Sequence, residues 1–136
     1  MTVQYSTAYR NTILDQFETT LGTAAVIEIR TGAQPANVAA AETGTLLVTL
    51  DSAAPSDWAA AASSGAKALA AAFSGLSVAT GTMGHYLVKT SGGTRHEQGS
   101  VTISGGGGDM TFDSITVSAT GQQVTLSAWG KTAGGA

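Results

Sequence analysis

The stretch that decides the fold is residues 99–129, GSVTISGGGGDMTFDSITVSATGQQVTLSAW. Apolar and polar residues alternate in short runs, and glycine-rich segments separate these runs. This pattern is typical of half-buried β-strands joined by turns. It predicts strands at 99–104, 110–118 and 122–129, with the tetraglycine Gly105–Gly108 as the tip of a hairpin.

The apolar residues of 110–118 change phase near Asp113. Met110 and Phe112 have one parity, whereas Ile115 and Val117 have the other. Because side chains alternate between the two faces of a strand, a regular strand would place one of these pairs in solvent. We therefore predict a β-bulge at this point, which turns both pairs towards the core.

Similar alternation continues towards the amino terminus. It predicts strands at 25–30, 45–50, 76–80 and 86–90, with glycine turns at 81–84 and 92–93. Residues 31–44 combine glycine, proline and asparagine around an alanine-rich middle, which predicts a long surface loop. Seven or eight strands are therefore expected.

A different period precedes these strands. Large apolar residues recur every four positions: Tyr5, Tyr9, Ile13, Phe17 and Leu21. This spacing predicts an amphipathic helix with the apolar stripe on its buried side. Ser6 or Thr7 can cap its amino end, and Gly22 can close its carboxyl end.

Residues 58–73, WAAAASSGAKALAAAF, allow two structures. Alanine propensity favours a helix from about Asp57 to Phe73 with a defect at Gly65. The other possibility is a strand from about Lys67, in which small residues pack under a close sheet contact. Alanine buries little surface to hold a helix in place, so we favour the strand or irregular structure.

Together these elements predict a mainly β protein, an antiparallel β-sandwich or jelly roll with one N-terminal α-helix. A length of 136 residues suits one domain, with a helical segment at 1–22 and the β-sandwich at 23–136. The first ten residues lack the pattern of a signal peptide, and no run of about 18 apolar residues occurs. We therefore expect a soluble product that is not exported by the Sec pathway.

Charge excludes several classes of partner. The chain has 6 Lys and Arg residues against 9 Asp and Glu, and the basic residues are scattered. Nucleic-acid and membrane-surface binding both need clustered basic residues, so neither is expected. With no cysteine, disulfides, thiolate metal sites and a cysteine nucleophile are excluded.

Residues that could carry catalysis or bind a metal are few. The candidates are His85, His96, Glu97, Asp109 and Asp113. Their spacing matches no metal-ligand or catalytic pattern, so we interpret them as polar positions at strand ends. The tetraglycine leads into a strand without a Lys-Ser or Lys-Thr pair, which argues against a phosphate loop. We expect no enzymatic activity, cofactor or metal.

Aromatic and loop residues are better candidates for an interface. Tryptophan is among the residue types that contribute most binding free energy per contact, so Trp58 and Trp129 are candidates. Each could instead simply cover a sheet edge. Trp129 is out of phase with Val124 and Leu126, so it is expected to point away from the core. The candidate interface set is Tyr5, Tyr9, Pro35, Asn37, Trp58 and Trp129.

Two passages, TGAQPANVAAAETGTLLVTL at 31–50 and GGGGDMTFDSITVSATGQQVTLSAW at 105–129, resemble a group of small proteins encoded by tailed phages and prophages. The opening helix, YSTAYRNTILDQFETTLGT, is similar to the start of the same group. The resemblance implies a virion component and carries no catalytic motif. By analogy of fold and length, a capsid decoration or cement protein fits best.

The sequence therefore favours a homo-oligomeric decoration protein that binds the major capsid protein or other virion proteins. Its location would be the virion, assembled in the bacterial cytoplasm. The alternative is a tail or adsorption component that binds host glycan through Trp58 or Trp129.

Overall fold

A computed structural model describes residues 3–52 and 59–135. It is 42% strand and 12% helix, which confirms the predicted mainly β fold with one N-terminal helix. The elements are α1 (Thr7–Leu21), β1 (Val26–Thr31), β2 (Leu46–Ser52), β3 (Ala66–Ala68), β4 (Phe73–Leu76), β5 (Gly81–Lys89), β6 (Arg95–Ile103), β7 (Met110–Phe112), β8 (Thr116–Val117), β9 (Gln123–Leu126) and β10 (Gly130–Thr132).

Eight of these strands form one sheet in the order β7-β6-β5-β1-β2-β4-β9, with β8 paired to the start of β5. β3 and β10 form a separate antiparallel pair, on which α1 packs. Alternate apolar residues of β1 and β2, such as Ile27, Ile29 and Leu50, are fully buried. This burial of one strand face forms the hydrophobic core, as the period-2 pattern predicts.

The predicted helix is present, but its apolar stripe is not one buried face. Ser6 caps α1 by accepting a hydrogen bond from the Tyr9 backbone N–H, at 3.2 Å. Tyr9 and Ile13 are about half exposed, whereas Leu21 is 2% exposed. A helix has 3.6 residues per turn, so each step of four residues rotates about 40° around the axis. The stripe therefore spirals from solvent into the core.

Residues 59–73 confirm the strand alternative for the described part of that segment. Ser63 and Ala66 exchange two backbone hydrogen bonds of 2.9 and 2.8 Å. The residues between them, Ser64 and Gly65, have φ values of +53° and +74°. Two left-handed residues in succession are typical of a tight hairpin turn, which leads here into β3.

Two boundaries predicted near residue 80 are wrong. The strand expected at 76–80 is instead β4, which ends at Leu76, and the turn expected at 81–84 is the start of β5. Glycine serves close packing there: a Cβ on Gly84 would lie 2.1 Å from the carbonyl oxygen of Gly32. The sequence pattern does not distinguish this use of glycine from a turn.

Gly105–Gly108 do connect two strands, but β6 and β7 are parallel, with Val101 opposite Met110. The hairpin prediction is therefore wrong. Residues 104–109 fold back beside Thr102 of β6. The Thr102 hydroxyl accepts a hydrogen bond from the Gly108 N–H at 3.0 Å. A Cβ on Gly106 or Gly108 would lie 2.8 Å from this threonine side chain. Glycine is thus what permits so short a connection between parallel strands.

Near Asp113, where a bulge was predicted, the structure has a break between two strands. β7 pairs with β6 and ends at Phe112, and β8 then pairs with β5. Met110, Phe112 and Val117 are all buried, so both apolar sets do face the core. A change of partner strand achieves what the bulge was expected to do. Of the strand predicted at 122–129, only β9 (Gln123–Leu126) forms, and β10 begins after the predicted range, at Gly130.

Gly84→Ala should lower the free energy of unfolding by about 2–3 kcal/mol, because the new methyl group meets backbone atoms that cannot move aside. Gly92→Ala is the matched control: its Cβ has an ordinary 3.7 Å contact, and we expect a change within about 0.5 kcal/mol. Urea unfolding measures both. Equal stability of the two variants would contradict close backbone packing at Gly84.

Candidate interaction surface

The charged residues of α1 all bind groups of the same chain. Asp15 and Glu18 bind Lys67 of β3, with Nζ to carboxylate distances of 2.7 and 2.9 Å. The Arg10 guanidinium donates to the Ala133 carbonyl at 3.3 Å. The inner side of α1 therefore combines these polar contacts with apolar burial, since Leu14 and Leu21 are buried and Phe17 packs against the core.

Backbone groups of the alanine-rich segment complete this contact. The Gly65 N–H donates to the Asn11 side-chain oxygen at 2.8 Å, and the Ala62 N–H donates to Asp15 at 2.9 Å. A Cβ on Gly65 would lie 2.4 Å from the Arg10 guanidinium. Small residues at 59–68 thus let the helix approach closely enough for its polar side chains to reach backbone groups.

Lys67 is the centre of the contact. Its side chain is 3% exposed, and its ammonium group also donates to the Ala60 carbonyl at 2.9 Å. Burial lowers the pKa of Lys67, but the hydrogen bonds and charges of Asp15 and Glu18 outweigh burial, so the net pKa is raised. The hydrogen bond from Lys67 lowers the pKa of Asp15, and the Ala62 N–H adds to this effect.

The charged side chain of α1 that stays substantially exposed is Asp15, at 48%, although it binds Lys67. Tyr9 and Ile13 on the outward side of α1 are 53% and 47% exposed, and Tyr5, just before the helix, is 47% exposed. The exposed Ala8 and Thr12 lie beside them. Large apolar side chains at such exposure in a row, without charges between them, mark an interaction surface. We call this set of five residues the α1 outer face.

A second exposed apolar feature is the bend that follows β4. Leu76 and Val78 are 64% and 63% exposed, whereas Ser77 between them is buried and its hydroxyl donates to the Ala119 carbonyl at 2.7 Å. The Val78 N–H donates to the Leu47 carbonyl at 2.8 Å. The bend is thus held rigidly while its apolar side chains point outward. Sequence analysis missed this surface because it assigned these residues to a half-buried strand.

The loop between β1 and β2 lies on its own sheet. Pro35 is buried, and its carbonyl accepts a hydrogen bond from Gln98 at 2.6 Å. Asn37 is exposed, and its side-chain oxygen accepts from two backbone N–H groups within the loop. The Arg95 guanidinium donates to the Ala40 carbonyl. Neither Pro35 nor Asn37 lies on the α1 outer face or the bend.

Ion pairs hold the end of this loop. Glu42 lies against Lys89 and Arg30, and the same two cations also contact Glu28 of β1. The hydrogen bond from Lys89 lowers the pKa of Glu42. Every one of these four side chains is therefore bound within the protein.

Trp129 does not point away from the core, because β9 ends at Leu126 and its alternation does not extend to residue 129. The indole packs against the core and meets the Tyr86 ring edge-on, with ring centroids 5.7 Å apart. The Lys131 ammonium lies 4.6 Å from the centroid of the Trp129 ring. Trp58, the other tryptophan of the predicted interface, lies outside the described residues.

Tyr86, Glu97 and Lys131 form a closed polar network beside Trp129. The Tyr86 hydroxyl donates to Glu97 at 2.7 Å, and Lys131 pairs with the same carboxylate. Burial raises the pKa of Tyr86 strongly, and its hydrogen bond to Glu97 adds to this effect. The groove along this network includes Asp109, so Glu97 and Asp109 are the two residues of the predicted polar cluster that the fold brings together.

The remaining members of that cluster are dispersed. His85 is fully buried, with Nδ1 3.0 Å from the Gly32 carbonyl, whereas His96 is exposed. Asp109 accepts hydrogen bonds from the Ser100 N–H and hydroxyl, which lower its pKa, and Asp113 accepts one from Ser104. Across residues 3–52 and 59–135, no three histidine or acidic side chains are grouped as a metal site would require.

The chain matches no protein-family model, and no curated protein or solved structure is significantly similar to it. Within the described ranges, no helix has both the length and the apolar character needed to cross a membrane. The interaction surface therefore has to be interpreted from its own geometry.

Lys67→Met should destabilise the fold at neutral pH and flatten the dependence of stability on pH. The lowered pKa of Asp15 stabilises the folded state above the ordinary aspartate pKa, and this contribution is lost as the pH falls through the lowered value. The raised pKa of Lys67 stabilises the folded state at every pH below the ordinary lysine pKa. This contribution is lost as the pH rises through the raised value. The difference between wild type and variant should thus be largest between about pH 4 and 10.

Urea unfolding across this pH range checks the prediction, with Asp51→Asn, a change at an exposed carboxylate, as the control. Parallel pH profiles for Lys67→Met and wild type would show that the pair does not stabilise the fold.

Trp129→Ala should lower the free energy of unfolding by about 2 kcal/mol, roughly half of the cost of truncating a fully buried aromatic side chain. The reason is its half-buried packing against the core and Tyr86. Thermal unfolding followed by circular dichroism measures the change. An unchanged melting temperature would contradict a stabilising role for the packing of Trp129 on the core.

Proposed function

We propose that the chain is a non-enzymatic structural protein of a tailed-bacteriophage virion, which decorates the head by bridging capsid subunits. The observation that carries this proposal is that two separate apolar surfaces, the α1 outer face and the 76–78 bend, remain exposed. The charged residues of α1 beside the first surface are meanwhile paired within the protein, as at Lys67 with Asp15 and Glu18. A protein that joins neighbours needs more than one such surface.

The two surfaces belong to different parts of the fold. α1 packs on β3, whereas the bend is anchored to residues 47 and 119–122. We assign contact with the major capsid protein to the bend, because a short rigid projection with two apolar side chains can enter a depression between subunits. Repetition over a shell makes such a modest contact sufficient, since many weak contacts act together. Binding to the assembled state alone then stabilises the head by mass action.

The adsorption alternative has less support. A glycan usually stacks on an open aromatic face, but Lys131 lies over the Trp129 ring and Tyr86 contacts its edge. The resemblance to phage and prophage proteins is compatible with both locations in a virion, so the experiment has to compare them directly.

The test is co-sedimentation of the purified protein with empty heads assembled from the major capsid protein of the same phage genome. Wild type should bind saturably in a fixed ratio to capsid subunits. The double variant Leu76→Ser/Val78→Ser should bind at least about tenfold more weakly, because each side chain removes roughly 1 kcal/mol of apolar burial. Ile103→Ser is the matched control, since Ile103 is 51% exposed and lies on a different strand.

Two outcomes would contradict the proposal. Equal binding of the double variant and wild type would show that the bend does not contact the capsid. If wild type fails to bind heads but binds tails or host envelope, the chain belongs to the adsorption apparatus.

A further inference from the structure

The loop between β1 and β2, residues 32–45, lies over the face of the sheet that points away from the core. We call this loop the strap. His85 and Leu87 of β5 lie on this face, because they alternate with the core residues Tyr86 and Val88, yet both are fully buried. Side chains of β1, β5 and β6 bind the strap at four of its residues: Gly32, Pro35, Ala40 and Glu42. The strap and the sheet therefore enclose a layer that is largely polar.

Two contacts of this layer fix which side-chain atoms donate. Nδ1 of His85 lies 3.0 Å from the Gly32 carbonyl, and the Gln98 amide donates to the Pro35 carbonyl at 2.6 Å. A carbonyl oxygen only accepts, so His85 carries its hydrogen on Nδ1, and its Nε2 is an acceptor. Oε1 of Gln98 is also an acceptor. Both atoms are buried, and neither has a hydrogen-bond partner among the described residues.

The two acceptors lie under the same part of the strap. In the register of β5 and β6, His85 is opposite Ser100, and Leu87 is opposite Gln98. His85 and Gln98 are therefore diagonal neighbours on one face of the sheet, about 7–8 Å apart between Cα atoms, and long side chains at such positions come within reach of each other. Their carbonyl partners on the strap are also close in sequence. One small molecule can thus contact both acceptors.

The side-chain donors around these acceptors already have partners. They are Arg30, Lys89, Arg95 and Ser100, and each binds a carboxylate or a carbonyl of the same chain. Burying an acceptor without a donor is unfavourable, so native proteins rarely leave such groups unpaired. These described side chains therefore leave the two acceptors to a donor from solvent.

The charges of the layer select a neutral donor. Arg30 and Lys89 carry two positive charges, and they pair with the two negative charges of Glu28 and Glu42. An ammonium ion, or a second proton on His85, would add a buried positive charge to a cluster that is already balanced. Water has no charge and two hydrogens to donate, and buried water typically bonds to polar groups that are otherwise unpaired.

We propose that the strap encloses one water molecule, which donates its two hydrogens to Nε2 of His85 and Oε1 of Gln98. The water joins the strap to β5 and β6, because each side chain that it bonds also holds a strap carbonyl. It orients the imidazole and the amide so that their N–H groups face the strap. This site is independent of the proposed function, since it needs no contact with a capsid.

Nuclear magnetic resonance tests the site in the wild-type protein. The imidazole nitrogen shifts should place the hydrogen of His85 on Nδ1 and show Nε2 as the acceptor of a hydrogen bond. Cross-peaks should connect the His85 ring protons with a water molecule that stays bound for longer than the rotational tumbling time of the protein. His96 is the control in the same sample, because it is exposed and should contact only rapidly exchanging water.

Gln98→Met should abolish the slow-water cross-peaks of His85, because it removes one of the two acceptors and keeps the length of the side chain. Gln34→Met is the matched control: it makes the same substitution at an exposed residue of the strap and should leave the cross-peaks unchanged. Circular dichroism verifies that both variants fold. If Gln98→Met does not fold, the wild-type spectra decide the inference on their own.

Several results would overturn the water site. They are a His85 hydrogen on Nε2, hydrogens on both nitrogens at neutral pH, or the absence of slowly exchanging water at the His85 ring. Cross-peaks that persist in Gln98→Met would equally overturn the bridge between the two side chains. None of these results bears on head binding, which the 76–78 variant tests separately.

Discussion

The buried ammonium group of Lys67 organises the amino-terminal third of the molecule. Its three N–H donors meet Asp15, Glu18 and the Ala60 carbonyl, so the buried charge is fully satisfied. Satisfying a buried lysine requires that the helix turn its carboxylates inward. Once they do so, the apolar residues on the opposite side of the helix have no core to enter. The exposed tyrosines are therefore a consequence of the way in which the lysine is neutralised.

Small residues make this arrangement possible. The segment at 59–68 is mostly alanine, serine and glycine, and its backbone N–H groups at Ala62 and Gly65 bond directly to side chains of α1. The same principle operates in the main sheet, where a Cβ on Gly75 would lie 2.0 Å from the Thr49 carbonyl. A chain with few large apolar side chains thus compensates with close backbone contacts, in which dispersion and hydrogen bonding replace part of the usual hydrophobic burial.

The sequence predicted the fold class and most strands because alternation reports directly on burial. It failed where one residue type has two uses. Gly84 lies in a strand and Gly92 in a turn, and the sequence does not distinguish the two glycines. The structure does, because the Gly32 backbone packs closely against Gly84. The four-residue spacing of the tyrosines suggested a buried stripe, although Asn11, Leu14, Asp15 and Glu18 have the i, i+3, i+4, i+7 spacing of the side that actually faces the protein. Leu14 is the apolar member of these four, so the hydrophobic pattern indicates this side only weakly, and the partner of Asp15 and Glu18, Lys67, is identified by the structure.

The two exposed apolar surfaces differ in the way they are supported, and this difference bears on their roles. The bend is fixed at its centre by the buried Ser77, which bonds to the 119–122 segment through its hydroxyl and backbone. It is a small, rigid feature suited to a preformed depression, because little conformational entropy remains to be lost on binding. The α1 outer face is longer, and the hydroxyl of its Thr12 donates back to the Ala8 carbonyl of the helix. A preformed projection needs few side chains to bind, so the bend can make the proposed capsid contact although it carries fewer exposed apolar side chains than the α1 outer face.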